Sequence, residues 1–358
     1  MNFLSLTQWG MGFSEPFLIA GPCSIENEIQ VFDTILNLPP SGVQLVRGGI
    51  WKPRTRPNSF EGVGNIGLAW LKQAGLAINR PVTTEVANAK HVYEALMANI
   101  DVLWIGARTT VNPFAVQDIA DALQGVDIPI LVKNPVNPDL ALWMGAIERL
   151  HQAGIFRIAA IHRGFSYYGE SKYRNKPLWE LPIALRQAWP SLPLICDPSH
   201  ICGNRQNLAE VAQKALDLGY NGLMLEAHTN PAKALSDAQQ QLTPDALTQL
   251  IAGLVQRSPA SSANPNHQTQ LTDFRQEIDQ LDKNLVETLA RRMEIVREIG
   301  KLKKIHKLQI LDAERWQYIL NSRTKLAAEN HLSDAFMISI CNAIHNESIR
   351  QQTKIMND

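Results

Sequence analysis

Apolar and polar positions follow two different rhythms along this chain. Between residues 17 and 228 eight apolar, β-rich runs recur. They are FLIAGPCSI (17–25), VQLVRGGI (43–50), PVTTEV (81–86), VLWIGAR (102–108), IPILVKN (128–134), FRIAAIHR (156–163), LPLICDPS (192–199) and GLMLEAH (222–228). Intervening segments such as NPFAVQDIADALQ and RQNLAEVAQKALDLG repeat apolar residues at three- and four-residue steps, and Gly219 ends the second. Eight strand–helix units over about 240 residues predict an α/β fold, a (β/α)8 TIM barrel. A doubly wound open sheet is the alternative.

From Leu271 the rhythm changes. Phe274, Ile278, Leu281, Leu285, Leu289, Met293 and Val296 predict one amphipathic helix of about 34 residues, roughly 50 Å long. Thr272 is its expected N-cap. Shorter helices are predicted over 312–329, opened by Asp312, and 333–353, opened by Ser333. Partners this short leave the long helix uncovered, so this all-α helical domain is expected to form a homodimer. All 20 prolines lie at or before Pro265, and RSPASSANPNHQTQ (257–270) reads as a connector. The expected organisation is a barrel over 1–257, a linker over 258–270 and a helical domain over 271–358. With the first strand near Phe17, no extra N-terminal domain is expected.

Charge changes the picture by exclusion. Lys+Arg and Asp+Glu both total 34, so the formal charge is zero, which argues against a general nucleic-acid binder. The four cysteines (Cys23, Cys196, Cys202, Cys341) are widely spaced, as in a reduced compartment. No run has bilayer-spanning length and the first residues lack a leader pattern, so the expected location is cytoplasmic, with no membrane partner.

Each apolar run begins bland and ends in chemistry: Cys23, Arg47, Glu85, Arg108, Lys133, His162 with Arg163, Asp197 with His200, Glu226 with His228. In a barrel these ends meet on one face. A single Arg or Lys there is usually a surface charge. Four cations from four strands instead imply an anion among them. The loop GGIWKPRTRPNSFEG (48–62) adds Lys52, Arg54 and Arg56, and Pro53 and Pro57 would hold Arg54 and Thr55 in fixed positions, which suits a second phosphate better than a solvated basic loop. His200, Glu226 and Asp237 read as metal ligands, with Cys23 as the candidate fourth. The competing reading is a buried thiol and a His–carboxylate hydrogen bond. Two anion sites and a metal suggest the joining of two phosphorylated substrates.

GPCSIE, KPRTRP-x-SF, GARTT-x-NPF, LVKNP, HRGF, DPSH and the final E-x-H-x2-P-x4-SD resemble the type I-beta 3-deoxy-D-arabino-heptulosonate 7-phosphate (DAHP) synthases over about residues 15–255. The resemblance implies condensation of phosphoenolpyruvate with erythrose 4-phosphate. It implies that Cys23, His200, Glu226 and Asp237 hold one divalent ion (Mn2+, Fe2+, Co2+ or Zn2+). Arg108, Lys133 and Arg163 would cradle phosphoenolpyruvate, with Arg47 and Lys52 near its carboxylate end. Arg54 and Thr55 would grip the erythrose 4-phosphate phosphate, and Asp197 would approach its hydroxyls. Lys52, crowded by cations, is expected to lose its proton readily and to carry proton traffic. A related sugar-phosphate or sialic-acid type synthase is the alternative; KPRTRP and the helical tail weigh against it.

In the tail, Arg292 and Lys303 share a helix face about 16 Å apart, with Arg275 ~100° round from them. Lys301, Lys304 and Lys307 are expected to be solvated. R-x2-ID-x-LD (275–282), Arg292, G-K-x-K (300–303), D-x2-R (312–315) and E-S-x3-Q (347–352) resemble the all-helical chorismate mutases over about residues 271–352. That implies rearrangement of chorismate to prephenate without a cofactor. Arg292 and the partner subunit's Arg275 would hold carboxylates, and Lys303 and Gln352 would donate to the ether oxygen. Asp312, Arg315 and Ser348 would complete the pocket. One position departs: Trp316 stands where the family commonly has Glu or Gln contacting the ring hydroxyl. The alternative is a tail that only dimerises and senses a metabolite, with prephenate feedback as the expected form.

Overall fold

The computed structural model describes residues 1–40, 42–52, 59–257 and 264–357, the side chain of residue 265 excepted. The chain divides into two compact units, Met1–Ser258 and Pro259–Asp358. In the first, eight parallel strands close a barrel in sequence order: β1 (Phe17–Gly21), β2 (Leu45–Arg47), β3 (Val82–Val86), β4 (Val102–Ile105), β5 (Ile130–Lys133), β6 (Ile158–His162), β7 (Leu194–Cys196) and β8 (Gly222–Glu226). At the seam Phe17 pairs with Gly222 and Gly21 with Glu226.

The two-residue period of a strand explains both the core and the mouth. Phe17, Ile19, Leu45, Val102, Trp104, Leu131, Ala159, Ile161, Ile195 and Met224 form one buried interior cluster. Their neighbours, among them Leu18, Val46, Leu103, Val132, Ala160 and Leu225, pack outward in the cluster shared with the helices. Such strands are apolar on both faces, as parallel strands must be. Two residues beyond Leu45, Leu131, Ile161, Ile195 and Met224, the inward line reaches Arg47, Lys133, Arg163, Asp197 and Glu226. The same register that fills the core therefore ends in charge.

The opposite end is closed by a segment whose role the sequence pattern did not reveal. A 3-10 turn, Leu6–Trp9, inserts Leu6 and Trp9 into the interior cluster together with Phe13. Leu4 N donates to Phe156 O at 3.1 Å, and Arg157 Nη1 donates to Trp9 O at 2.8 Å, pinning it there.

The second unit holds three helices, Pro265–Ile305, Ala313–Glu329 and Asp334–Asn357. The first begins at Pro265 rather than Leu271, so the expected connector 258–270 is already helical from Pro265. Asn264, not Thr272, is the cap: its Oδ1 accepts from His267 N at 3.0 Å, and proline fits the first helical position. Thr272 instead lies inside, its Oγ1 donating to Gln268 O at 2.8 Å. At 41 residues this helix is about 60 Å long. Asp312 caps the second helix by accepting from Arg315 N, and Ser333 Oγ accepts from Phe336 N at the third. The third runs to Asn357, past the expected 353. It packs against the first around Val296 and Gly300, where Gln352 lies over the glycine. Upstream, Phe274, Ile278, Leu281 and Leu285 are exposed, Leu285 by 58%. No described helix is long and apolar enough to cross a membrane.

Candidate active site

At the mouth of the barrel, Cys23 Sγ and one carboxylate oxygen each of Glu226 and Asp237 lie within 4.8 Å of one another. Cys23 comes from the loop after β1 and Glu226 ends β8. Asp237 follows in the next loop, with φ of 45°. Cys23 Sγ accepts from Lys52 Nζ at 2.9 Å and lies 3.3 Å from Asp237 Oδ2. Glu226 is wholly buried, and its Oε1 has no hydrogen-bond partner among the described residues although Arg47 Nη2 stands 3.2 Å away. Burial opposes its ionisation, but His200 and Arg47 outweigh that and hold its pKa below the ordinary value. An ionised, buried oxygen without a hydrogen bond is costly unless a cation meets it. Burial, then Glu226, pushes the Cys23 thiol up to about 12, so it keeps its proton until a metal displaces it. One thiol and two carboxylates around an unbonded oxygen fit a first-row divalent cation.

His200, the remaining expected ligand, stands just outside that 4.8 Å group. It lies on the short helix Pro198–Cys202, which Asp197 caps by accepting from His200 N at 3.1 Å. The cap brings Asp197 Oδ2 to 2.8 Å from His200 Nδ1, which is 3.8 Å from Glu226 Oε1. The imidazole is thus at the same mouth but faces its own capping carboxylate.

Cations surround this cluster. Arg47 is 1% exposed, and its Nε and Nη1 lack hydrogen-bond partners among the described residues. Its guanidinium lies 4.9 Å over the Trp104 ring. Lys133 Nζ donates to Asp197 Oδ2 at 2.8 Å. Arg163 Nη1 donates to Asn175 Oδ1 at 2.7 Å, and burial lowers its pKa to about 10. Arg108 sits exposed on the short helix Ala107–Thr110. Arg108, Lys133, Arg163 and His200 share the lining of one cavity of about 240 Å³. A cavity lined by guanidinium and ammonium groups, with the unbonded donors of Arg47 at the same mouth, calls for a carboxylate or phosphate.

One expectation needs revision. Lys52 does not lose its proton readily: burial works that way, but Cys23 and Glu226 outweigh it together with the repulsion of Arg47, so its pKa is raised. A sulfur acceptor and carboxylates, rather than cations, dominate its surroundings. Asp197 is fully buried and held by Lys133 and His200, so it orients both of them from below. Arg54 and Thr55 lie outside the described residues.

Sequence reasoning missed Arg174, Gln240 and Gln241 as parts of this site, and placed Glu85 among the strand ends without giving it a role. Arg174 Nη1 donates to Asp237 Oδ1 at 2.8 Å and to Gln240 Oε1 at 3.1 Å. Gln240 Nε2 donates to Glu226 Oε2 at 2.7 Å, and Gln241 Oε1 accepts from Cys23 N at 2.9 Å. Glu85 Oε2 accepts from Trp104 Nε1 at 3.0 Å. Arg174 and the glutamines stand in polar, aperiodic stretches, and only Glu85, at a strand end, carried a signal.

In the tail, Arg292 Nη1 donates to Ser348 Oγ at 2.7 Å, joining first and third helices. Burial lowers the Arg292 pKa. Gln352 is 7% exposed, and its Oε1 lacks a partner among the described residues. Lys303 Nζ donates to Ile310 O at 2.6 Å, next to Asp312 and the exposed Arg315. Trp316 stacks on His345 with centroids 3.9 Å apart. Arg275 is not brought to this group: 17 positions before Arg292 on one continuous helix, it lies about 25 Å away.

Residues 8–260 match the family model described as the DAHP synthetase I family, and residues 274–353 match that of chorismate mutase type II. A phospho-2-dehydro-3-deoxyheptonate aldolase of Thermotoga maritima is 29% identical over 249 residues, 70% of this chain and 72% of that protein. A 2-dehydro-3-deoxyphosphooctonate aldolase of Legionella pneumophila is 28% identical over 265 residues, 68% of this chain and 92% of that protein. A crystal structure of the Thermotoga maritima phospho-2-dehydro-3-deoxyheptonate aldolase (DAHP synthase) is similar at a TM-score of 0.59 with 29% identity, covering 66% of this chain and 67% of that one.

Proposed function

Since the chain belongs to the DAHP synthetase I family and carries a chorismate mutase type II domain, we propose that its barrel joins phosphoenolpyruvate to erythrose 4-phosphate and its tail rearranges chorismate. The observation that carries the first half is the Cys23–Glu226–Asp237 group beside the unbonded donors of Arg47. Those three residues, with His200 turned from Asp197, would hold a divalent ion. Bound there, the ion supplies Lewis-acid polarisation of the aldehyde oxygen. Arg47, Arg108, Lys133 and Arg163 hold the carboxylate and phosphate of phosphoenolpyruvate, fixing carbon 3 against the aldehyde carbon. Lys52, which keeps its proton, donates it to the aldehyde oxygen as the carbon–carbon bond forms. Water then adds at carbon 2, and phosphate leaves by C–O cleavage. Arg54 and Thr55 would grip the phosphate of the aldose. The octulosonate aldolase relative acts on a related sugar; the KPRTRP loop and the fused tail favour the four-carbon aldose.

In the tail, no nucleophile is required. Clamping the dicarboxylate in its compact form and stabilising charge on the ether oxygen suffice. Arg292 and Lys303 would supply this, with Gln352, whose Oε1 lacks a partner among the described residues and whose Nε2 makes only a 3.5 Å bond to Ser348 O, turning its amide hydrogens to the ether oxygen. Asp312, Arg315 and Ser348 would line the remainder. A second copy completes the site with the partner subunit's Arg275 and covers the exposed stripe from Phe274 to Leu285. Purified protein assayed for both reactions, with and without a chelator, tests the proposal: the synthase rate should fall to background while the mutase rate stays unchanged. A chelator-resistant synthase would remove the metal. Preference for a five-carbon aldose phosphate would move the barrel to the octulosonate reaction. Failure to consume chorismate would leave the tail non-catalytic.

A further inference from the structure

Each carboxylate at the barrel mouth has its two oxygens in unlike surroundings. Glu226 Oε2 accepts from Gln240 Nε2 at 2.7 Å, whereas Oε1 is unbonded among the described residues. Asp237 Oδ1 accepts from Arg174 Nη1 at 2.8 Å, whereas Oδ2 faces Cys23 Sγ at 3.3 Å. The two tethers are one piece, because Gln240 Oε1 accepts from the same Arg174 Nη1 at 3.1 Å. Chemistry fixes the direction of the amide: a carboxylate can only accept and a guanidinium can only donate. Gln240 is 1% and Glu226 0% exposed, so water does not compete for the bond between them, whereas the Arg174 side chain is 48% exposed. Gln241 locks the same loop from the other side, accepting from Cys23 N at 2.9 Å and donating to Ser236 O at 2.8 Å.

We propose that Gln240 and Arg174 form a strap that ties back one oxygen of each carboxylate, so that Glu226 and Asp237 each offer a cation a single oxygen. Calcium takes six to eight oxygens and gains from two-oxygen carboxylates, while first-row ions accept few ligands of mixed type. The strap thereby makes the centre selective for a first-row ion over calcium. This rests on the metal reading above but concerns a separate property, how many oxygens are presented.

The test is calorimetric titration of the full chain with Mn2+ and, separately, Ca2+, comparing wild type with Gln240→Leu. Removing a bond to a ligand's far oxygen should weaken Mn2+ binding about 10–100-fold. The freed Glu226 should bind Ca2+ as well as or better than before, so the Mn2+/Ca2+ affinity ratio should narrow by at least about tenfold. Arg174→Met, which frees Asp237 from the other end, should narrow the ratio in the same direction and serves if Gln240→Leu does not fold. Unchanged Mn2+ affinity, or equal losses for both ions in both variants, overturns the strap. Wild type that binds neither ion overturns the metal reading itself.

Discussion

On the proposed reading, the barrel and the tail solve the same problem, holding anions with arginine and lysine, by opposite means. In the barrel the charged groups at the strand ends are buried, from Glu226 at 0% to Arg163 at 9% exposure, with Arg108 exposed beyond them, and a closed ring of hydrogen-bonded strands sets their spacing. In the tail, Arg275 and Arg315 are exposed, and so is the apolar stripe beside Arg275. Its site is spread along a helix of about 60 Å that one chain cannot fold back on itself. A site on a closed sheet is finished when the chain folds. A site on a long helix, on the proposed reading, is finished when two chains meet.

The sharpest way to break this comparison is Cys23→Ala. It should lower the synthase rate by roughly 10³-fold or more and abolish divalent-metal binding, with chorismate turnover unchanged. A mutase rate that fell in step would mean that the two halves are not independent catalysts. Next in size is Lys303→Ala, expected to cost the mutase roughly 10²–10³-fold in kcat while synthase turnover holds. Equal mutase rates in variant and wild type would remove Lys303 from the reaction. The smallest effect is on stability. His162 is buried against Tyr220 and Pro177, and burial lowers its pKa to about 3. Below pH 6.5 the unfolded chain takes up this proton and the folded barrel does not, so stability falls with pH across that window. About 2 kcal/mol should be lost by pH 5 relative to pH 7. Urea unfolding of His162→Gln at both pH values should show less of that loss, and an equal loss would place the acid sensitivity elsewhere.

Much of the barrel could be read directly. All eight predicted runs contain a strand, each apolar over strand length with a polar group near its C-terminal end. What escaped was set by neighbours in space rather than in sequence. The upward shift at Lys52 depends on a sulfur 2.9 Å away that its own cationic loop does not advertise. Arg174 and Gln240 stand 66 residues apart, and their bond leaves no periodic trace in either segment. His200 was placed at the right mouth, but its rotation follows from the capping role of Asp197. The early start at Pro265 had a local signal, Asn followed by Pro, which the polar composition of the connector obscured.

The separation of Arg275 from Arg292 has a genetic consequence. In a dimer whose every mutase pocket borrows one arginine from the other chain, lesions on different chains can be sorted into one doubly damaged pocket and one intact pocket. Chains carrying Arg275→Ala and chains carrying Lys303→Ala, each inert alone, should therefore restore about a quarter of the wild-type pockets when mixed equally and allowed to exchange. Complementation of this kind would reveal shared architecture without any image of it, and its absence would mean that each chain serves itself.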